Sequence, residues 1–219
     1  MTAPEQLVAA FAAERLRSRS FVLVAIDGGT GSGKSTFARR LQNAFATGGG
    51  IDCAVVHLDH FFRTQRERGS RLARVEDTDW RRLRDKVILP LRAGRSARFQ
   101  LYDWPQDRLR RWQTVQPAGV VIVDGVSSMR RELAHYYDLA IWLACPREKR
   151  IARLAGRGDT PPEEIEYWLP SENAYLTAHA PRQRAHLVVD ASADAAAADA
   201  EMVTERWSPP AAGYRVRQS

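Results

Sequence analysis

The chain has 219 residues, of which 33 are lysine or arginine and 26 are aspartate or glutamate, so its formal net charge is +7. This length suits one substantial α/β domain and is too short for two. We therefore expect one domain over residues 1–190, followed by an alanine-rich extension, 191–219, that is partly disordered. The positive charge favours anionic partners. Because the sequence has no run of lysines and arginines with interleaved aromatic residues, no nucleic acid polymer is expected among them.

The apolar segments of the chain are short. None approaches membrane-spanning length, and the first residues lack the apolar centre of a signal peptide. The cysteines Cys53 and Cys145 each lie in a predicted apolar strand, which favours buried reduced thiols over a disulfide. These features predict a cytoplasmic protein without a membrane partner.

The first predicted elements lead into a glycine-rich loop. An amphipathic helix is expected at about 4–18, with Leu7 and Phe11 on its apolar side. The nearly unbroken apolar run 21–26 then predicts a central parallel strand that is covered on both faces. A helix follows from Lys34, with apolar residues at helical spacing until the glycines at 48–50 end it.

The loop between that strand and that helix, residues 28–35, fits the spacing G-x-x-x-x-G-K-[ST] of a phosphate-binding loop. Glycines let successive backbone N–H groups face phosphate oxygens, and the helix adds its positive N-terminal end. In this interpretation Lys34 reaches the terminal phosphates and Ser35 binds Mg²⁺. The predicted nucleotide-binding residues are Gly28, Gly29, Thr30, Gly31, Ser32, Gly33, Lys34, Ser35 and Thr36.

A second strand, 52–58, ends at Asp59. The C-terminal edges of strands meet at the ligand crevice in open α/β sheets, so Asp59 is a candidate general base. The alternative is that Asp59 only caps the next short helix. His60 is interpreted as a packing or exposed histidine, since no partner for a dyad is close in the sequence.

The middle of the chain contains an aromatic segment. After a helix that begins near Trp80 and ends at Gly94, residues 98–105 alternate as an edge strand would. Tyr102 and Trp104 on this segment could stack on a flat ring. Ordinary packing under a loop is the alternative.

Two further strands are followed by charged residues. The apolar run 119–125 contains Asp124 near its end, and a carboxylate in that place is typical of the second nucleotide-site motif, in which the acid binds Mg²⁺ directly or through water. A strand at 138–146 precedes a helix on which Arg150, Arg153 and Arg157 share one face. We interpret 147–160 as a lid whose arginines stabilise charge on a transferred phosphoryl group, with a solvated face as the alternative.

The last predicted elements are a helix and a strand. A helix is expected over 163–179, interrupted at Pro170, and a fifth strand over 185–190. The alanine-rich residues 193–200 predict a weak helix before a frayed end.

In this order the motifs resemble the uridine kinase family of P-loop kinases, over residues 21–190. The segments that carry the resemblance are Gly28-Gly29-Thr30-Gly31-Ser32-Gly33-Lys34-Ser35, Leu58-Asp59-His60-Phe61-Phe62, Tyr102-Asp103-Trp104, Val123-Asp124-Gly125 and the arginine helix followed by Gly158-Asp159. It implies an α/β fold, the P-loop NTPase three-layer sandwich, whose five-stranded parallel sheet has the order 2-3-1-4-5. It also implies ATP or GTP as donor, Mg²⁺, and transfer of the γ-phosphoryl group to a nucleoside 5′-hydroxyl, and it leaves a homo-oligomer open.

The resemblance assigns roles to individual residues. Lys34 would act in catalysis beside Asp59, which matches the base, and Ser35 with Asp124 would form the magnesium site. The lid arginines would be Arg150, Arg153 and Arg157, and the acceptor-binding residues would be Asp59, Phe62, Tyr102 and Trp104.

The chain departs from the family in two places. The family places a histidine shortly after the tyrosine-aspartate-aromatic segment, where this chain has Pro105-Gln106-Asp107-Arg108, and it places arginine directly before the lid aspartate, where this chain has Gly158. A kinase of another small-molecule alcohol, such as a pantothenate-like compound, a sugar or a natural-product intermediate, is therefore a rival hypothesis. A nucleotide-binding switch with little phosphotransfer is a second rival.

Overall fold

The structure is a computed structural model that describes residues 2–158, 160–193 and 202–210. Its strands, in chain order, are β1 (Phe21–Asp27), β2 (Cys53–His57), β3 (Ala97–Asp103), β4 (Arg108–Val115), β5 (Gly119–Asp124), β6 (Leu139–Ala144), β7 (Leu187–Asp190) and β8 (Val203–Trp207). Its α-helices are α1 (Pro4–Leu16), α2 (Lys34–Gly49), α3 (Gln65–Arg68), α4 (Trp80–Leu83), α5 (Leu89–Arg92), α6 (Arg131–Ala134), α7 (Arg147–Arg157), α8 (Pro162–His179) and α9 (Pro181–Arg184). Among the described helices, none is both long and apolar enough to cross a membrane.

The central sheet has the order β2-β5-β1-β6-β7-β8. Its first five strands are parallel, so the predicted order 2-3-1-4-5 is confirmed. In this order β1 lies at the centre, and the loop that follows it is flanked by the C-terminal ends of β5 and β6. The phosphate-binding motif therefore lies where ligand crevices form in open α/β sheets.

Both faces of the sheet are covered, which explains the continuous apolar runs of its strands. On β1, Leu23 and Ala25 face one core, which α4, α5 and α6 also line. Val22, Val24 and Ile26 face the other core, which contains apolar residues of α1 and α2. The three layers of the predicted sandwich follow from this alternation.

The sheet has a sixth strand that the sequence interpretation did not include. β8 pairs antiparallel with β7, although residues 203–207 had been assigned to the extension 191–219. Trp207 of β8 packs edge-on against Phe11 of α1, with ring centroids 6.2 Å apart, and this apolar contact anchors the strand at the sheet edge. The rest of the extension, at 194–201 and 211–219, lies outside the described residues, and so does the predicted weak helix except for its first residue.

One expectation is confirmed away from the central sheet, and another is wrong. The segment predicted as an edge strand is β3, which pairs antiparallel with β4 in a separate two-stranded sheet, and its apolar face packs on the core through Ala97 and Phe99. The helix α8 continues through Pro170. An internal proline costs about 3 kcal/mol, and the burial of Leu169 and Tyr175 on either side offsets that cost.

Candidate nucleotide and phosphoryl-transfer site

The loop that joins β1 to α2 has the backbone of a phosphate cradle. Gly33, the residue before α2, adopts a φ of +94°, a conformation that favours glycine. Gly31 has a φ of +79°, and a Cβ there would lie 2.6 Å from the backbone oxygen of Arg150. Lys34 folds back over the loop, and its Nζ donates to the carbonyl oxygens of Gly28 and Gly29 at 3.0 and 3.1 Å. Its ammonium group is therefore held at the mouth of the loop.

Asp27, at the end of β1, anchors the beginning of the loop and was missed by the sequence analysis. Its fully buried carboxylate accepts N–H bonds from Gly28 (2.7 Å), Ser127 (3.3 Å) and Met129 (2.9 Å) and an O–H bond from Tyr175 (2.5 Å). Burial raises the pKa of Asp27, and the hydrogen bonds from Tyr175, Met129 and Gly28 oppose the rise. The sequence did contain a signal for Asp27, an apolar strand that ends in aspartate, which is the pattern that identified Asp59 and Asp124.

A second buried carboxylate, Glu172 of α8, holds the middle of the loop and was also missed. Its Oε2 accepts the Thr30 N–H at 2.7 Å and the Trp168 Nε1–H at 3.2 Å. Its Oε1 lies 2.8 Å from Nη1 of Arg150, which also donates to the Thr30 carbonyl oxygen at 2.8 Å. Although burial opposes the change, Arg150 and the Thr30 N–H hold the pKa of Glu172 below its ordinary value.

The two predicted metal ligands lie next to each other. Ser35 Oγ donates to Asp124 Oδ2 at 2.9 Å, and the other carboxylate oxygen lies 2.6 Å from His57 Nδ1. The hydrogen bond to Asp124 raises the pKa of His57. A hydroxyl beside a single carboxylate suits Mg²⁺, which takes one or two carboxylates and completes its shell with water and phosphate oxygens. In the described part of the chain, no group of three or more histidine, cysteine or acidic residues could hold a metal ion, so the site has no cage made of protein alone.

Asp59 lies on the β2 side of the loop, in a short 3₁₀ turn (Leu58–Phe61). The cap of this turn is His57 and the cap of α3 is Thr64, so the alternative that Asp59 caps a short helix is wrong. The Asp59 residue is accessible to solvent. Although the residue is exposed, the protein packed around its carboxyl group raises the pKa of Asp59, first by desolvation and then through the charge of Asp124, whereas Lys34 opposes the rise. A carboxyl group with a raised pKa is a better proton acceptor than an ordinary aspartate.

An aromatic wall stands beside Asp59. Trp104 donates its Nε1–H to the Asp59 carbonyl oxygen at 3.2 Å, and its ring lies 4.8 Å from that of Phe62 and 5.0 Å from that of Tyr102. Trp104 is 43% exposed, whereas Phe62 and Tyr102 are buried behind it. The Tyr102 hydroxyl donates to Asp107 Oδ1 at 2.7 Å. The predicted acceptor residues therefore come together, with Trp104 as the accessible surface.

The three arginines of α7 do not form one cluster. Arg150 is buried against Glu172. Arg153 donates to the carbonyl oxygens of Ala191 and Ala193 at 2.8 and 2.6 Å. Arg157, at the end of α7, lies near enough to Asp59 for its charge to lower the pKa of that carboxyl group.

A cavity of about 400 Å³ opens on the other side of the loop, above β6 and β7. Its lining includes Gly29 of the loop, Cys145 and Pro146 after β6, and Ser192 after β7. The cavity thus lies on the β6 and β7 side of the loop, whereas the exposed residues Asp59 and Trp104 lie on the β2 side. This arrangement can bind a phosphate chain at the loop, with one ligand group on the β6 and β7 side and another on the side of Asp59.

A parallel sheet with a glycine-rich loop after its central strand, and a hydroxyl–carboxylate pair at the loop, defines a P-loop nucleotide-binding protein. The comparisons with known proteins agree with this class. A family model described as an AAA domain matches residues 24–174. Because the chain is also 30% identical to a uridine kinase of which it covers 77%, it belongs to the uridine kinase-like family of P-loop kinases, whose members are phosphotransferases.

The relatives and solved structures each match more than half of this chain. The uridine kinase of Deinococcus deserti is 30% identical over 69% of this chain and 77% of its own length. The phosphoribulokinase of Synechocystis is 30% identical over 59% of this chain, but the match spans only 40% of that protein. A solved structure described as a possible uridine kinase from Bacillus stearothermophilus is 21% identical, with a TM-score of 0.63 over 84% of this chain and 96% of that one. The D-glycerate 3-kinase of Cryptococcus neoformans is 12% identical, with a TM-score of 0.61 over 93% of this chain and 100% of that one.

Proposed function

We propose that the protein transfers the γ-phosphoryl group of ATP or GTP to a hydroxyl group of a small molecule, and that the first candidate acceptor is a nucleoside 5′-hydroxyl. The observation that carries this proposal is the geometry at the C-terminal ends of β1, β2 and β5. Lys34 Nζ lies 3.0 and 3.1 Å from the carbonyl oxygens of Gly28 and Gly29, and Ser35 Oγ donates to Asp124 Oδ2 at 2.9 Å. Asp59 is exposed in the turn after β2, at the same edge of the sheet, and the charges of Lys34 and Asp124 both act on its pKa.

The residues divide the chemistry among them. The N–H groups of the loop and Lys34 hold the phosphates, once Lys34 leaves the carbonyl oxygens of Gly28 and Gly29. Ser35 and Asp124 hold Mg²⁺, which when bound neutralises part of the phosphate charge. Asp59 orients the acceptor hydroxyl and takes its proton.

Two further features support the proposal. The charge of Arg157 lowers the pKa of Asp59, and an arginine near the acceptor that stabilises a transferring phosphoryl group can contribute about 10³–10⁵ in rate. The cavity above β6 and β7 has room for the rest of the donor, while the acceptor takes the side of Asp59 and Trp104. Donor and acceptor would then approach the loop from opposite sides, as in-line transfer requires.

The test is the rate of phosphotransfer in variants of Lys34 and Asp59. Lys34→Ala should abolish turnover. Asp59→Asn should lower kcat by about 10²–10⁴ and keep ATP binding, because the amide cannot accept the proton. Asp52→Asn is the matched control, since Asp52 is an exposed aspartate directly before β2, at the opposite edge of the sheet. An Asp59→Asn enzyme that keeps most of the wild-type rate would show that the base is assigned wrongly.

A second candidate function is the phosphorylation of a different small-molecule alcohol. It is favoured by residues 105–108, which contain no histidine where the resemblance to the uridine kinase family implies one that reads a pyrimidine. The Asp107 carboxylate is held by the Tyr102 hydroxyl and by the Gln65 N–H at 2.8 Å. An acceptor screen at fixed ATP and Mg²⁺, read by mass shift, separates the two. If uridine and cytidine are not phosphorylated and a sugar or an acid is, the result selects this candidate. If no compound of the panel is phosphorylated, the result favours a nucleotide-binding switch.

A further inference from the structure

Thr30, in the middle of the phosphate-binding loop, is held at both of its backbone polar groups. Its N–H donates to Glu172 at 2.7 Å and its carbonyl oxygen accepts from Arg150 at 2.8 Å. The same Arg150 nitrogen lies 2.8 Å from the second Glu172 oxygen. Thr30 is therefore closed into a ring with one side chain from α7 and one from α8.

The ion pair in this ring is buried. Glu172 is 0% exposed and Arg150 is 7% exposed. Buried charges of this kind persist only when each has a partner and its remaining hydrogen-bonding groups are satisfied. Here the backbone of Thr30 supplies part of that satisfaction, so the pair is built around the loop.

Arg150 also presses against the neighbouring glycine of the loop. A Cβ at Gly29 would lie 2.3 Å from Arg150 Nη1 and 2.4 Å from its Cζ. The guanidinium thus covers Gly29 on one side while it bonds to Thr30. A guanidinium held in this way is fixed by the loop and by Glu172.

We propose that Arg150 and Glu172 are positioning residues that hold the phosphate-binding loop in its nucleotide-binding shape, so that Arg150 acts through the loop and makes no contact with the transferred phosphoryl group. The proposal rests on the proposed kinase function. It has a second consequence, because α7 also carries Arg157. We call the contacts of Arg150 and Glu172 with Thr30 the clamp. The clamp fixes the beginning of α7 against the loop, and it thereby sets the position of Arg157 relative to Asp59.

The first experiment measures the dissociation constant of ATP in Glu172→Gln, Arg150→Gln and the double variant. Each single change should weaken ATP binding by about 3- to 100-fold, and the double variant should lose little more than either single one, since the two side chains act as one unit. The kcat of each variant at saturating ATP should change much less than the dissociation constant. Arg150→Lys, which keeps a charge beside Glu172, should recover part of the affinity.

The matched control is Asp138→Asn. Asp138 is also a buried carboxylate that binds arginine and a backbone N–H: it accepts from Leu23 N at 2.7 Å and from Arg92 Nη2 at 3.0 Å. It precedes β6, at the end of the sheet opposite the loop. Asp138→Asn should lose thermal stability, as we also expect of Glu172→Gln, and should keep the wild-type affinity for ATP.

A second measurement, NMR hydrogen exchange of the Thr30 amide in ligand-free protein, needs no activity. The amide should exchange slowly in the wild type and in Asp138→Asn, and much faster in Glu172→Gln. Unchanged exchange and unchanged ATP affinity in Glu172→Gln would overturn the proposal, and so would a loss of kcat at constant affinity in Arg150→Gln. If the wild type binds no ATP, the kinase function fails, while the exchange of the Thr30 amide still decides the clamp.

Discussion

Replacing Asp27 by asparagine tests whether the beginning of the phosphate-binding loop is held by a charged carboxylate. All four contacts of Asp27 come from donors: the N–H groups of Gly28, Ser127 and Met129 and the hydroxyl of Tyr175. Asparagine has the same size but offers one oxygen and one NH₂ group. If its oxygen keeps the first two N–H groups, its NH₂ group faces the N–H of Met129, which then has no acceptor.

The size of the effect follows from these contacts. A buried donor without an acceptor costs about 1–3 kcal/mol, and each bond to a charged acceptor that is lost costs about 1.5–3 kcal/mol. We therefore expect Asp27→Asn to lower the free energy of unfolding by about 3 kcal/mol. For a chain of this length, 1 kcal/mol shifts the Tm by about 2–4 °C, so the Tm should fall by about 6–12 °C.

Thermal unfolding followed by circular dichroism measures this change, and ATP affinity should fall in parallel because the Gly28 N–H begins the loop. Tyr175→Phe is a graded control: it removes one donor, leaves three N–H groups on the carboxylate, and should cost about 1 kcal/mol. Burial raises the pKa of Asp27, so a neutral Asp27 is the competing state. Asparagine imitates that state well, and a Tm equal to that of the wild type would refute the charged anchor.

Three further predictions concern Gly125, which lies against the residue before Asp59, the pH dependence of the Arg150–Glu172 clamp, and Trp104 of the aromatic wall. Gly125→Ala should cost about 2–4 kcal/mol, since the φ is +151° and a Cβ would lie 2.4 Å from Leu58 Cβ; an unchanged urea midpoint contradicts this. The pKa of Glu172 in the folded protein is lowered. The wild type should therefore be more stable than Glu172→Gln by a constant amount above the ordinary pKa of 4.5, and this advantage should shrink as the pH falls through the lowered pKa. An advantage that persists unchanged at about pH 2 contradicts this prediction. Trp104→Ala should raise the acceptor KM about 10-fold and spare ATP affinity; an unchanged acceptor KM removes Trp104 from the site.

Much of the site could be predicted because its signals are local. The loop requires glycine where φ is positive, as at Gly33, and it requires a lysine and a hydroxyl at fixed distances along the chain. Asp124 and Asp59 both follow apolar strands, and parallel strands bring such positions to one edge of the sheet. The pairing of Ser35 with Asp124 at 2.9 Å therefore followed from the order of the strands.

The arginine helix shows where local patterns fail. Three arginines on one helical face predicted a lid, but spacing along a helix does not show what the face meets. Arg150 meets Glu172, 22 residues further along the chain, and Arg153 meets the carbonyl oxygens after β7. Similarly, β8 joined the sheet because β7 had a free edge and Trp207 had an apolar partner, neither of which the composition of its segment indicates.

The sequence by itself determined the phosphate-binding loop, the buried parallel strands and the carboxylates at the strand ends, because backbone conformation and burial leave patterns in neighbouring residues, whereas the order of the strands came from the resemblance to a known family. Only the tertiary structure decided how the loop is held. Tyr175 reaches Asp27 across 148 positions of the chain, and Glu172 reaches Thr30 across 142. Such pairs are brought together by the packing of α8 against the end of the sheet, and a contact formed by packing leaves no spacing that a single sequence can reveal.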